Sequence, residues 1–368
     1  MIAGRELAHD PRVVLTLDAG GTNFSFSAIR GGRTIGDSLT LPAEPNDLDA
    51  SLRNMIAGFQ ALVDQIGRAP DAISFAFPGP ADYPNGVIFN VGNLPAYRGG
   101  VAVGPMLEER FGVPVFLNND GDLFAYGEAL AGLLPEINRE LEAAGSPKRY
   151  RNLIGLTLGT GLGGGIVIDG RLLGGDNSAG GEFWLLRNRV RSECFAEEGA
   201  SIRAVRSAYA EAVGAAAEGL SPKDIGDIAT GAAPGDQQAA RRAFETLGEV
   251  VGDVLANVLT LVDGLAVIGG GLAGAAPLFL PRVMAELNGT IATYGGATTN
   301  RLVQAAYDLG NPAQRQEFLR DQSRVIAVPG SCRTVVTEPR KRVGVGISTL
   351  GTSMAVGIGA YAFAINRL

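Results

Sequence analysis

A strand–glycine turn–strand pattern occurs twice in this chain, and that recurrence constrains the fold more than any other feature. Residues 15–33 read LTLDAGGTNFSFSAIRGGR, and residues 156–171 read LTLGTGLGGGIVIDGR. In each copy a short run of β-formers meets a Gly/Thr turn, a second such run comes at once, and a turn of Gly and Arg closes the unit. Glycine at these turns lets the backbone reach positive φ and bring its N–H groups close to an anion. One turn in each half predicts two half-clamps on opposite walls of a cleft that holds a polyphosphate.

The segments after the two copies share one plan. After the first, Leu48, Leu52, Met55, Ile56, Phe59, Leu62, Val63 and Ile66 fall at helical spacing. A buried strand over 72–77 then ends at Pro78-Gly79-Pro80. A helix over 104–111 and a strand over 113–117 lead to Asn118-Asn119-Asp120, and residues 123–133 are Ala-rich and helical. Residues 135–151 are charged and mark the crossing between halves. After the second copy come helices near 201–213 and 237–262, a strand over 265–268 and a turn over 269–274. This order predicts two related α/β domains rather than one doubly wound sheet. Residues 288–345 mix Gly, Thr and charge around one strand-like run at 324–328, and are read as an insertion. The apolar helix at 354–365 must be buried.

A length of 368 residues favours two domains, each with its own core. The net charge of -7 argues against nucleic acid as a partner. The one basic run, Arg340-Lys341-Arg342, reads as a solvated loop. Cys194 and Cys332 are too few for a disulfide framework, which fits a reducing cytoplasm. The single histidine, His9, lies in a polar N-terminal stretch, and no Cys pair has zinc-ligand spacing. No apolar signal core or convincing membrane span is expected.

Two stretches, 159–164 and 269–274, satisfy G-x-G-x-x-G. The first leads into a strand rather than a helix, and no acidic residue comes after the second where a ribose would need one, so a nicotinamide cofactor is a poor reading. Neither has the lysine of a Walker loop. Asp18 leaves a buried strand beside Gly20-Gly21-Thr22-Asn23, where its carboxylate can hold a magnesium-bound water while turn amides meet phosphate. An isolated Asp in a tight hairpin more often caps its own backbone; recurrence of the turn weighs against that here. Asp120 closes a strand and opens a helix, so it is either an N-cap or a base facing the cleft.

In combination these residues resemble the ROK (repressor, open reading frame, kinase) family of sugar kinases, glucokinase-like members of the hexokinase–actin–Hsp70 superfamily. The resemblance covers nearly the whole chain outside 135–151 and 288–345. It implies an α/β fold of two related RNase H-like (actin-like ATPase) domains flanking a cleft. One would comprise residues 1–119 plus 347–368, the other 120–346 with the insertion. Asp18 to Asn23 resembles the first phosphate motif, Gly159-Thr160-Gly161 the second, and Gly269-Gly270-Gly271 the turn beside the nucleoside. Phe77 to Asp82, with Asn93-Leu94-Pro95, resembles the sugar-contacting segment, and Asn119-Asp120 the catalytic pair.

The resemblance therefore implies transfer of the γ-phosphate of ATP to a hydroxyl of a hexose or hexose derivative. Asp120 would be the base. Gly79, Asn93, Asn119, Glu182 and Glu197 would bind the sugar, with Glu198 the alternative register for Glu197. ATP would meet Asp18, Gly20, Gly21, Thr22, Asn23, Gly159, Thr160, Gly161, Gly270 and Gly271, with Mg²⁺ held through water by Asp18. A cytoplasmic homodimer is also implied.

Departures from the family pattern narrow the expectation. Where relatives have Gly-Glu-x-Gly-His, this chain has Gly181-Glu182-Phe183-Trp184-Leu185, and the Cys-rich loop has become residues 187–198 with Cys194 alone. Structural zinc is therefore not expected. A buried imidazole bonded to a hydroxyl discriminates sharply, whereas Leu185 would tolerate or prefer a sugar lacking that hydroxyl or bearing an apolar group. Phe183 and Trp184 are either sugar-stacking or core aromatics. Two other readings are a sugar-responsive repressor, disfavoured because about a dozen residues precede the first strand, and a catalytically weak sugar binder, disfavoured by the retained Asp120.

Overall fold

A computed structural model describes residues 7–89, 92 and 94–368, with backbone only at 215 and 216. The chain forms two compact units. The first comprises residues 1–132, 165–181 and 350–368, and the second residues 133–164 and 182–349.

The first unit opens with β1 (Val13–Ala19), β2 (Asn23–Arg30) and β3 (Arg33–Pro42). Helix α1 (Leu48–Ile66) and β4 (Ala72–Ala76) come next, then the small ribbon β5 (Ala81–Asp82) and β6 (Val87–Ile88). Helix α2 (Val103–Phe111), strand β7 (Val115–Asn118) and helix α3 (Asp120–Ala131) complete the run. Strand order is β3-β2-β1-β4-β7, with β1–β2 and β2–β3 antiparallel and β1–β4 and β4–β7 parallel. Helix α1 has the anticipated bounds because each end is signalled locally. The Asp47 side chain accepts from Ala50 N, and Gly67 takes the left-handed conformation at φ 68°. Its apolar face reaches the sheet through Gly58, where a Cβ would come within 2.3 Å of the Phe26 ring. Phe59 then packs edge-on against Phe26 at 5.2 Å.

The next elements are α4 (Leu133–Ala143), β8 (Leu153–Leu158), β9 (Leu162–Ile168) and β10 (Arg171–Leu172). Helices α5 (Ile202–Val213), α6 (Pro222–Thr230) and α7 (Gln237–Leu261) lead to β11 (Leu265–Gly269) and α8 (Ala276–Leu287). Then come β12 (Thr290–Ala292), β13 (Thr298–Asn300), β14 (Ala305–Asp308) and α9 (Pro312–Leu319). Strands β15 (Arg324–Ala327), β16 (Thr334–Thr337) and β17 (Arg342–Ile347) precede the last helix, α10 (Thr352–Ile365). The order β10-β9-β8-β11-β17 repeats that of the first sheet, with β14 added at the edge. The unit boundary falls within β9. Both halves of the duplicated sequence thus build one topology, the RNase H-like plan expected of them.

Three expectations are corrected. Residues 288–345 are not simply an insertion, because β17 is a buried strand pairing in parallel with β11 and β14; only the ribbons β12–β13 and β15–β16 stand apart from that sheet. Its RVGVGI pattern is short and glycine-interrupted and sits directly after two basic residues, which hides it. The basic run itself is not a solvated loop. Arg342 is 1% exposed; it donates Nη1–H to Arg320 O at 3.0 Å, lies 5.5 Å from the Phe318 ring centre and pairs with Glu338 at 3.5 Å. Finally, α3 groups with the first unit instead of opening the second. It meets α10 at glycines on both sides. A Cβ at Gly127 would lie 1.9 Å from Ala355 O, and one at Gly359 would lie 2.0 Å from Leu123 O. Helix α10 is buried over most of its length, as its composition demands.

Among the described residues no helix is long and apolar enough to cross a membrane.

Candidate active site

In the first unit, register aligns the candidate residues at the carboxyl ends of parallel strands, the usual ligand edge of an open α/β sheet. Asp18 on β1 pairs across to Ala76 on β4, and Ala76 to Asn118 on β7. Three chain segments leave the sheet at that row: the turn 20–22, the segment Phe77 to Pro80, and the pair Asn119-Asp120. Phe77 N donates to Asn118 O at 3.0 Å, which ties two of them together.

The turn 20–22 is closed by Gly20 N donating to Asn23 O at 3.0 Å, and Ala43 N donates to Thr22 O at 2.9 Å. Asp18, Gly20, Thr22 and Asn23 are exposed and Gly21 is half-buried. Asp18 accepts from Ser353 Oγ at 3.5 Å, a residue near the start of α10 that the sequence motifs did not point to. An exposed carboxylate beside turn amides is a donor set of the kind that holds a hydrated divalent cation.

Asp120 is exposed at the first turn of α3. Gly121 N donates to Asn119 Oδ1 at 2.8 Å and to Asp120 Oδ1 at 2.9 Å. Asn119 is therefore the N-cap, and the Asp120 carboxylate lies at the helix start, near the positive end of the helix dipole. The strand segment from Gly165 supports this turn closely. A Cβ there would lie 2.7 Å from both Asp122 Cα and Gly121 O. Gly79 is exposed, 3.2 Å by a hypothetical Cβ from Tyr83 Oη, whose hydroxyl donates to Phe77 O at 3.0 Å. Asn93 lies outside the described residues.

The second unit repeats the arrangement. Thr157 of β8 pairs with Gly269 of β11, so the turns 159–161 and 270–271 leave the sheet side by side. Gly159 N donates to Gly161 O at 3.0 Å, and Ile202 N to Gly159 O at 2.8 Å. Gly270 has φ 89° and stands where a Cβ would be 2.3 Å from Leu158 O, so only glycine fits there. Gly159 and Gly271 would each point a Cβ into open space. Thr160 lines a cavity of about 740 Å³ with Ile202, Arg203, Arg206, Ser207 and Glu218. The size suits a nucleoside, and the two arginines were not anticipated.

Glu197 and Glu182 are the remaining candidate site residues of this unit. Glu197 Oε2 accepts from Leu162 N at 3.1 Å, and Ser201, the N-cap of α5, donates Oγ–H to Glu197 O at 2.9 Å. Arg203 pairs with both Glu198, which is exposed, and Glu197, which is half-buried and 3.7 Å away; the Leu162 amide bonded to Glu197 favours it as the residue at the turn. Glu182 accepts from Trp184 Nε1. Leu185 is 57% exposed, whereas Phe183 is buried over Gly164 and is a core aromatic.

A family model described as ROK family matches residues 14–314. A glucokinase from Parabacteroides distasonis is 52% identical, with a TM-score of 0.90 over 98% of this chain and 99% of that one. An N-acetylmannosamine kinase from Salmonella typhi is 27% identical over 277 residues, 74% of this chain and 87% of its own. An N-acetyl-D-glucosamine kinase from Vibrio vulnificus is 31% identical over 170 residues, 46% of this chain; the match spans about half of that relative, 51%.

Proposed function

The chain belongs to the ROK family, and from that membership we propose that it is an ATP-dependent sugar kinase acting on a hexose or hexose derivative. One observation carries the reading: Asp18 and the Asn119-Asp120 pair stand at aligned ends of parallel strands in one sheet. A phosphate-facing carboxylate and a base then have a common frame. Sugar-kinase relatives of two kinds, acting on glucose or on N-acetylated amino sugars by their names, support the same activity.

In this mechanism Asp120 accepts the proton of the substrate hydroxyl as its oxygen attacks the γ-phosphorus. The new O–P bond forms while the bond to the β,γ-bridging oxygen breaks, and ADP leaves with that electron pair. The turn 20–22 and the turn 159–161 each offer amides and a threonine hydroxyl, Thr22 or Thr160, to phosphate oxygens. Asp18 would hold Mg²⁺ through water, and the cation would supply charge neutralisation at the phosphate chain. Gly270 and Gly271 flank the nucleoside, whose base and ribose take the cavity beside Thr160, Arg203 and Arg206. By family resemblance, Gly79, Asn93, Asn119, Glu182 and Glu197 are the proposed sugar contacts. Most of the rate then comes from positioning and charge stabilisation.

Leu185 offers an exposed apolar surface near Glu182 in sequence, which favours an N-acyl amino sugar over glucose itself. The enzyme is proposed to work as a cytoplasmic homodimer. ADP release measured across glucose, mannose, glucosamine, N-acetylglucosamine and N-acetylmannosamine tests the reading. Stimulation by at least one sugar supports it, and measurable sugar binding with no ADP release from any sugar overturns it.

A further inference from the structure

Residues 182–198 contain both candidate sugar carboxylates, and the chain orders them without the usual set of metal-binding side chains. The only histidine is His9, and Cys194 is the only cysteine in the segment. Backbone pairing takes that place. Ala196 N donates to Leu186 O at 2.7 Å and Asn188 N to Cys194 O at 3.0 Å, while Arg187 bridges to Phe195. The buried Asn188 closes the ribbon's tip by accepting from Val190 N at 2.9 Å and Arg191 N at 3.0 Å.

This ribbon seats Phe195 edge-on against Trp184, with ring centres 5.5 Å apart at 88°. Trp184 in turn donates its indole N–H to Glu182 Oε2. One side chain thus links the residue before Glu197's short turn to the carboxylate of Glu182. An indole nitrogen is a donor only, and an ionised carboxylate an acceptor only. With Oε2 engaged by a donor, the orientation of Glu182 is set, and the carboxylate keeps acceptor capacity for a ligand.

We infer that Trp184 is a positioning residue that sets sugar specificity, holding Glu182 so that its carboxylate accepts from a hydroxyl or amide N–H of the sugar. The inference rests on the sugar-kinase reading of Glu182. A sugar presenting an ether or no group at that point leaves the carboxylate unpaired and is rejected. Leu185, three residues along, adds apolar surface without a competing donor.

The test uses Trp184→Phe, which keeps an aromatic ring against Phe195 and removes the N–H. The sugar KM is expected to rise about tenfold or more, as for loss of a bond to a charged group. The kcat should stay within about threefold, and discrimination against deoxy and O-methyl analogues should shrink. A KM within about twofold of wild type, with selectivity retained, overturns the inference.

A second measurement does not depend on that variant folding. Trp184 is the only tryptophan in the chain, so wild-type emission reports it alone. Saturable change on adding sugar without nucleotide is expected, and Glu182→Gln should abolish it. Unchanged wild-type emission at a sugar concentration that saturates turnover overturns the assignment. Absence of turnover with every sugar would instead count against the kinase reading, so the two failures are distinct.

Discussion

Glu197 and Leu162 are joined by a 3.1 Å hydrogen bond from the Leu162 amide to the Glu197 carboxylate. The candidate sugar glutamate is thereby fastened to the residue just after the second glycine turn, where Gly161 leaves it room. A Cβ at Gly161 would come within 2.3 Å of Glu197 Oε2. Because that neighbour is the far end of a flexible side chain, Gly161→Ala should fold with little loss of stability and displace the carboxylate. The expected outcome is a sugar KM raised about tenfold, read by sugar-dependent ADP release, with the thermal midpoint changed by only a few degrees. A normal KM would remove Glu197 from the sugar site.

Asp120→Asn tests the base. An amide oxygen can still accept from Gly121 N, so folding and sugar affinity should persist. The kcat should fall by about 10²–10⁴-fold, the usual contribution of a positioned base. Activity within about tenfold of wild type would rule out the role given to Asp120.

Gly270→Ala separates stability from chemistry. The left-handed φ of 89° and the approach to the Leu158 backbone should together cost on the order of 3 kcal/mol. Gly271→Ala, whose Cβ meets nothing within 4 Å, should change stability by less than about 0.5 kcal/mol. Urea unfolding of both variants decides it, and equal midpoints would contradict the tight turn.

Removal of divalent cations should abolish phosphoryl transfer without unfolding the protein, and added Mg²⁺ should restore it. Asp18→Asn should raise the Mg²⁺ concentration for half-maximal rate by about 10–100-fold. Elemental analysis should find no stoichiometric zinc. One zinc per chain would overturn the expectation drawn from Leu185 and the altered loop.

Alkaline stability should depend on Tyr361. Burial pushes its phenol up to about 12, above the value near 10 of an unfolded tyrosine. The folded state therefore favours the neutral form. That stabilisation is fully present below about pH 10 and is lost as pH rises toward 12. Tyr361 Oη accepts from Gly31 N at 3.0 Å and donates to Arg12 O at 3.2 Å. Tyr361→Phe should lower the urea midpoint at pH 7 and flatten its decline above about pH 10. Buried Tyr97, Tyr126 and Tyr150, also shifted upward by burial, should keep some decline in the variant. An unchanged pH profile would refute the assignment.

Local signals made much of this molecule legible in advance. The hairpins at residues 13–30 and 153–168 declare themselves by β-rich runs around glycine, and α1 by its helical stripe between Asp47 and Gly67. The motif residues at Asp18, Asp120, Gly159 and Gly270 are readable for the same reason, since backbone shape at a strand end is written in neighbouring residues. What only the tertiary structure decided depends on partners far along the chain. Gly127 and Gly359 bring α3 and α10 within reach of each other's backbone, so α3 joins the first unit. Strand β17 is recognised by its neighbours β11 and β14, and Ser353 by Asp18 from the opposite end of the sequence. The Trp184–Glu182 contact was close in sequence yet equally hidden, because a rotamer chosen by packing against Phe195 sets where the indole N–H goes. Periodicity and turn chemistry act over a few residues; side-chain contacts are selected by shape and hydrogen-bond geometry that exist only once the chain has folded.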